Sequence, residues 1–255
     1  MVDRHAPASG QHGYRAIADG LRSQIDSGEL APGSKVPGEN ELMALHGVEQ
    51  PTARRALEVL KNEGLIIARR GSGTYVREFR PIRRVSPDRL KAAVWGNGRS
   101  IWSADLDVRP HVGRTVVTVE APSSLIADVL GLDEGEQVVT RRRRFLVDDK
   151  PVQLATSYYP EKLVQGSAIM AEDTGEGGSY ARLKDLGYEP VRFREELRTR
   201  MPRESEREEL ELAQGTPVVL IIRTAYTADD QPVEVNEMTL DSAAYILEYK
   251  FTAQG

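Results

Sequence analysis

Gln50, Thr52 and Arg54 stand two residues apart where a stretch of helical periodicity begins. When a helix lies in the major groove of DNA, its N-terminal residues face base edges. Gln50 can form two hydrogen bonds to N6 and N7 of adenine. Thr52 can meet a phosphate or a thymine methyl, and Arg54, one turn further in, can pair with phosphate or guanine. Further on comes Arg69-Arg70-Gly71-Ser72-Gly73. Arg70 at such a tip can reach a minor groove or the backbone, and Gly71 and Gly73 let backbone amides approach phosphate oxygens. The same residues also fit the surface of a small protein-binding bundle.

Arg141 to Arg144 offer a second chemistry. In a strand, Arg141 and Arg143 share one face, and Arg142 and Arg144 the other. Guanidinium groups hold carboxylates and phosphates through two parallel hydrogen bonds. The run also fits a solvated sheet edge or a ladder at a dimer contact. Catalysis finds little support. The four histidines, His5, His12, His46 and His111, are scattered, and only His111 lies in the second half. Cysteine is absent, which removes disulfides, thiolate catalysis and cysteine-based zinc sites. No HExxH, Walker or Rossmann glycine pattern occurs. Glu195-Glu196 and Asp148-Asp149 are sequence neighbours in an expected strand and turn, so their carboxylates do not share a site. The expectation is a sensor without catalytic residues, metal or cofactor.

The chain has 255 residues, 40% hydrophobic and 29% charged, with a formal net charge of -5. That length suits two domains. No apolar run approaches a membrane span, and the N-terminus lacks the apolar segment of a secretory signal, so a cytoplasmic location without membrane contact is expected. The net charge excludes a polybasic nucleic-acid binder, so a DNA site must be local. Residues 1–80 carry a net charge of +1 and the remainder -6. Between Arg69 and Lys91 eight basic residues face only Glu78 and Asp88. Such a belt suits contact with a polyanion, or a solvated, extended linker.

The elements that must position these groups follow from periodicity. Tyr14, Ile17, Leu21 and Ile25 recur at helical spacing, with Gly28 placed to end the helix. A short helix after Gly38 turns Leu42 and Leu45 inward and closes at Gly47. A third helix starts near Gln50 or Pro51, buries Ala53, Ala56, Leu57 and Leu60, and ends at Gly64. Leu65–Ala68 and Thr74–Arg77 then flank a glycine-rich hairpin tip. Two helices joined by a short turn and followed by a hairpin make a winged helix-turn-helix pattern. Residues 78–91, with two prolines and strong charge, read as an extended connector. The stretch 92–112, with Trp95 and Trp102, reads as loop-rich, either filling a core or covering a ligand.

The second half contains an internal duplication. At an offset of 80, Pro122/Pro202, Leu130/Leu210, Gly135/Gly215, Val138/Val218 and Arg143/Arg223 coincide. Each copy reads as a short helix, a glycine turn and a β-hairpin. Thr115–Val119, Val191–Thr199 and Tyr245–Phe251 are further strand candidates, and Tyr180–Leu186 a helix. The fold class is α+β, an antiparallel sheet with helices on one side.

Over Tyr14–Val76, the runs YRAIADGLRSQIDSGELAPGSKVPGENEL, GV..PTARRALEVLKNEGLI and RRGSGTYV resemble the DNA-binding domain of the GntR family of bacterial transcription regulators. The family usually carries Arg at Asn40 and a Ser/Thr-Arg pair at Glu49-Gln50. The resemblance therefore implies DNA docking, with Asn40 among the contact positions, but not the family's usual operator. Glu49 would repel phosphate or accept from a cytosine amine. Over roughly 85–251, GLDEGEQVVTRRRRF, KPVQLATSYYP, GSYARLKDLGY and GTPVVLIIRTAYTADDQPVEV are similar to the UTRA ligand-binding domain of the HutC subfamily, which has a chorismate-lyase-like fold. That similarity implies effector contacts at Arg143 and Glu234. Phe145, Ala155 and Leu240 replace the Arg, Glu and Tyr of phospho-sugar binders, which favours a larger or more apolar effector with a single anionic group, or none.

The expected organisation is a tail over 1–12, a winged helix-turn-helix domain over 13–77, a connector over 78–91 and an effector and dimerisation domain over 92–255. The resemblance implies a homodimeric repressor that binds an inverted-repeat operator on double-stranded DNA and is released by a small molecule. A protein-interaction module with a vestigial winged helix, or a chorismate-lyase-like enzyme, are the alternatives.

Overall fold

A computed structural model describes residues 13–69, 71–78, 82–86, 88–95, 110–147 and 149–251. The chain divides into two units, Met1–Arg80 with Ala213–Thr216, and Pro81–Leu212 with Pro217–Gly255.

In the first unit, α1 (Tyr14–Asp26), α2 (Glu39–His46) and α3 (Gln50–Asn62) pack around one core. Ile17 and Leu21 of α1, Leu42 of α2 and Ala53, Ala56, Leu57 and Leu60 of α3 are buried in it. The apolar spacing of α1 and α3 thus becomes a continuous buried stripe. Gly38 N–H donates to Glu41 at 2.8 Å, fixing the start of α2, and Gly47 closes it in the left-handed conformation. The wing is a three-stranded sheet of order β1-β3-β2, from β1 (Lys35–Val36), β2 (Ile66–Arg69) and β3 (Gly73–Val76). Leu45, expected inward, is 69% exposed. The buried and half-buried side of α2 runs through Glu39, Leu42, Met43 and His46, and Leu45 falls beside that stripe.

The second unit holds a six-stranded antiparallel sheet of order β5-β6-β7-β10-β9-β8. Its strands are β5 (Pro110–Glu120), β6 (Val138–Val147), β7 (Lys150–Pro160), β8 (Arg192–Arg200), β9 (Val218–Tyr226) and β10 (Pro232–Asp241). The duplication sets this order. Hairpin β6–β7 and hairpin β9–β10 meet along the β7–β10 seam, where β7 and β10 pair antiparallel. The likeness extends to the backbone, because Asp149 and Asp230, in equivalent turns, both have φ 62°.

Helices cover both faces, not the single face expected. The repeat helix α5 (Ser124–Leu130) packs Ile126 and Leu130 on Val138 and Val235. After its counterpart α8 (Glu204–Glu209), Leu210 packs on Val218 and Leu220 of the same face. The segment between the copies forms α6 (Glu161–Val164) and α7 (Gly178–Asp185), which pack Leu163, Val164, Tyr180 and Leu183 on Val139, Tyr159 and Ala225 of the opposite face. A sheet buried on both sides needs both coverings.

Part of the expected connector is ordered structure. β4 (Ile82–Ser86) pairs in parallel with β11 (Tyr245–Tyr249), and a 3-10 turn follows at Asp88–Leu90. Arg84 and Arg89 are 1% and 5% exposed, so these members of the basic belt face neither solvent nor a polyanion. α4 takes up Ala92–Trp95, and residues 96–109, with Trp102, lie outside the described residues. Among the described residues no helix is long and apolar enough to cross a membrane.

Candidate nucleic-acid interface and ligand pocket

Gln50, Thr52 and Arg54 occupy the first turn and a half of α3, and Asn40 is exposed at the start of α2. One carboxylate gathers two of them. Glu39 accepts from Gln50 Nε2 at 2.8 Å, from Arg54 Nε at 3.0 Å and from Arg54 Nη2 at 3.2 Å. A carboxylate only accepts, so the Gln50 amide must turn its nitrogen toward Glu39 and its oxygen away. The hydrogen bond from Arg54, then that from Gln50, holds the Glu39 carboxyl below the usual glutamate range. Arg55 is committed elsewhere, with its guanidinium 4.2 Å from the centre of the Tyr14 ring.

At the wing, Gly71 and Gly73 have φ of 71° and 120°. Their neighbours are braced by Tyr75, whose hydroxyl lies 2.7 Å from Ser72 Oγ and whose ring lies 4.6 Å from the Arg69 guanidinium. Arg70 lies outside the described residues.

In the second unit, a pocket of about 830 Å³ opens over one face of the large sheet, and Arg143, Phe145 and Glu234 line it. Alternation splits the arginine run as expected. Arg142 pairs with Glu120 at 2.6 Å and Arg144 with Glu211 at 2.9 Å, away from the pocket. Arg141 is 2% exposed and spends its guanidinium on backbone, donating to the carbonyls of Ile169 at 2.6 Å, Ala171, and Glu172 at 2.9 Å. It therefore holds the loop that rims the pocket. Arg143 donates through Nη2 to Ser157 Oγ, and its Nε makes no hydrogen bond.

Glu234 is 2% exposed and accepts from Tyr159 Oη at 2.7 Å and Tyr180 Oη at 2.6 Å. Burial raises both phenols above their ordinary pKa, and the neighbouring Glu234 charge raises them further. Both therefore stay protonated donors at neutral pH. A carboxylate has about four acceptor sites, so Glu234 keeps capacity for a ligand's hydroxyl or amine.

The register lays a transverse row across the floor. Arg141 on β6 stands beside Ser157 on β7, then Asn236 on β10, Arg223 on β9 and Glu195 on β8. Phe145 lines the pocket, whereas Ala155 and Leu240 are buried in the adjoining apolar core.

The model of the bacterial regulatory proteins of the gntR family matches residues 13–76, and that of the UTRA domain matches residues 108–246. An HTH-type transcriptional regulator of Streptomyces coelicolor is 34% identical over 233 residues, 87% of this chain and 86% of its own length. This chain is a GntR-family transcriptional regulator. The HTH-type transcriptional repressor NagR of Bacillus subtilis is 27% identical to the regulator over 217 residues, 84% of each chain. A crystallised GntR-family transcriptional regulator superposes on it with a TM-score of 0.64 at 26% identity, covering 96% of this regulator and 99% of that chain.

Several site features of the regulator escaped the sequence reading. Glu39 was not singled out, although its place at the first position of α2 follows from the glycine before it. Tyr159, Tyr180, Asn236 and Arg223 converge only through strand register. For Arg223 a signal existed, since it is the duplicate of Arg143.

Proposed function

We propose that the regulator is a homodimeric repressor that reads an inverted-repeat operator through α3 and the wing and is released when a small molecule fills the pocket of the second unit. Asn40, Gln50, Thr52, Arg54, Arg70, Gly71 and Gly73 form the DNA-facing set, and Arg143 and Glu234 hold the effector. The observation that carries this reading is the pocket itself. It brings a guanidinium and a buried carboxylate, far apart in sequence, to one lined cavity in a chain that also carries a winged helix.

Repression is supported by the name of NagR. Dimerisation is supported by the small footprint of one winged helix, since two half-sites read together raise affinity and specificity. The pocket is read as a binding site and not a catalytic one, because among the described residues no histidine lines it to serve as a base. Release follows if the effector binds one arrangement of the dimer more tightly than the other.

The test is fluorescence anisotropy with the DNA upstream of the regulator's own gene, followed by titration with metabolites that raise its melting temperature. Tight, saturable binding that such a metabolite reverses supports the reading. Arg143→Ala then retains DNA binding and loses the metabolite response. No preference for that DNA over unrelated duplex at low salt sinks the reading.

A further inference from the structure

We propose that Arg223 is the seat of an oxyanion group on the effector, and that Glu195 and Arg84 convert occupation of that seat into a firmer hold on β4. This rests on the ligand-binding reading of the pocket and names the residue that reads the ligand's charge.

Arg223 is 5% exposed and lines the pocket. Its Nε and Nη1 make no hydrogen bond. Its guanidinium lies 5.5 Å from the centre of the Tyr180 ring, and Glu195 Oε1 is 3.8 Å from its Nη1, beyond hydrogen-bond reach. A buried guanidinium with unmade hydrogen bonds is costly, and an anion that reaches it recovers that cost. Asn236 Oδ1 and Gln153 Oε1, 5% and 4% exposed residues of the same lining, also make no hydrogen bond. The ligand that fits carries a carboxylate or phosphate flanked by hydroxyl or amine groups.

Glu195 does not belong to Arg223 alone. It accepts from Arg84 Nη2 at 2.5 Å and from Ser86 Oγ at 3.5 Å. Arg84 also donates to Sδ of Met238, a pocket-lining residue, at 3.4 Å. Both Arg84 and Ser86 are on β4, which pairs with β11 outside the large sheet and is the first element of this unit in chain order. One buried carboxylate thus faces two buried guanidinium groups. With the seat empty, Glu195 divides its field between Arg84 and Arg223. With an anion on Arg223, Glu195 acts on Arg84 alone, and β4 is tied more firmly to the sheet. These two charge arrangements are the differential contacts that coupling requires.

The test uses the full-length protein, with inorganic phosphate and acetate as separate probes that distinguish a phosphate seat from a carboxylate seat. Melting temperature reports binding, and amide exchange at residues 82–86 reports the hold on β4. One probe is expected to raise the melting temperature of the wild type and to slow that exchange. Arg223→Gln and Arg223→Lys each weaken this probe at least tenfold, and the lysine variant, which keeps a cation beside Glu195, guards against a folding failure of the first. Arg144→Lys, on the opposite face of the sheet where Arg144 pairs with Glu211, retains binding. Glu195→Gln retains binding but loses the change at β4. Unchanged affinity in Arg223→Lys, or no binding of either probe by the wild type at millimolar concentration, overturns the seat. Slowed exchange in Glu195→Gln equal to that of the wild type, or none in the wild type, overturns the coupling. If Arg143→Lys alone loses the probe, this assignment is wrong and the ligand-binding reading stands. If no pocket ligand alters operator binding, that reading fails whatever Arg223 does.

Discussion

Arg54 and Glu39 lie side by side, with Nε 3.0 Å from Oε1 and Nη2 3.2 Å from Oε2. This pairing engages the Nε and Nη2 edge of the guanidinium, and in the proposed reading the Nη1 end is left for a guanine or a phosphate. Glu39 brings a negative charge close to the residues assigned to DNA and in return fixes their direction. Glu39→Gln therefore has opposed effects. Affinity for unrelated duplex rises because a repulsive charge is gone, and discrimination between operator and unrelated duplex falls. Anisotropy titrations with both duplexes at one fixed salt concentration measure the two terms.

Arg54→Ala removes the cation itself. Operator affinity is expected to fall by about 1–3 kcal/mol, roughly fivefold to 150-fold. Gln50→Ala instead relaxes preference at one base pair more than it lowers general affinity. Equal affinity of Arg54→Ala and wild type for the operator removes α3 from the interface.

Acid stability carries a signature of the same cluster. The Glu39 carboxyl is lowered by Arg54 first and Gln50 second. A depressed carboxylate contributes stability above its unfolded pKa and loses it as pH falls through its folded pKa. Arg54→Ala brings the folded value back toward the unfolded one. The variant therefore loses less stability than wild type between neutral pH and about pH 3, as read from denaturant midpoints across that range.

Leu42 and Leu45 should differ sharply despite their adjacent places on α2. Leu42 is 0% exposed, so Leu42→Ala costs about 2–5 kcal/mol. Leu45 is 69% exposed, and Leu45→Ala changes stability by less than about 0.5 kcal/mol. Urea denaturation of the two variants gives the comparison, and equal losses contradict the orientation of α2.

Gly131 and Glu211 are duplicates with φ of 63° and 52°, both left-handed. No atom lies within 4 Å of a Cβ added at Gly131, so Gly131→Ala incurs backbone strain alone, about 1 kcal/mol. The protein stays folded, since Glu at the equivalent position is already accommodated. A shift in melting temperature matching that cost, with unchanged circular dichroism, is the expected result.

The first unit was largely legible because its core lies within short helices whose apolar spacing is local. Leu45 was misplaced because a helix of one or two turns offers too few positions to fix which side is inward. In the second unit the duplication exposed both hairpins, and alternation separated Arg141 and Arg143 from Arg142 and Arg144. The floor of the pocket was not legible, because the neighbours of Glu234 and Arg223 come from strands brought together by register. Arg84 was read as part of a solvated or polyanion-facing belt because charge composition does not reveal a buried partner such as Glu195.

The meeting of β7 and β10 has a bearing on lifetime. Each hairpin closes through a short turn, a local event, whereas Tyr158 and Val235 must find one another across the intervening chain. Local hairpins form in microseconds, and pairings distant in sequence form more slowly. Ser157 and Asn236 face each other at this junction, under the cavity. Under the proposed reading, a small molecule resting there touches both hairpins and is expected to slow their parting, so that the folded regulator persists longer as well as melting higher.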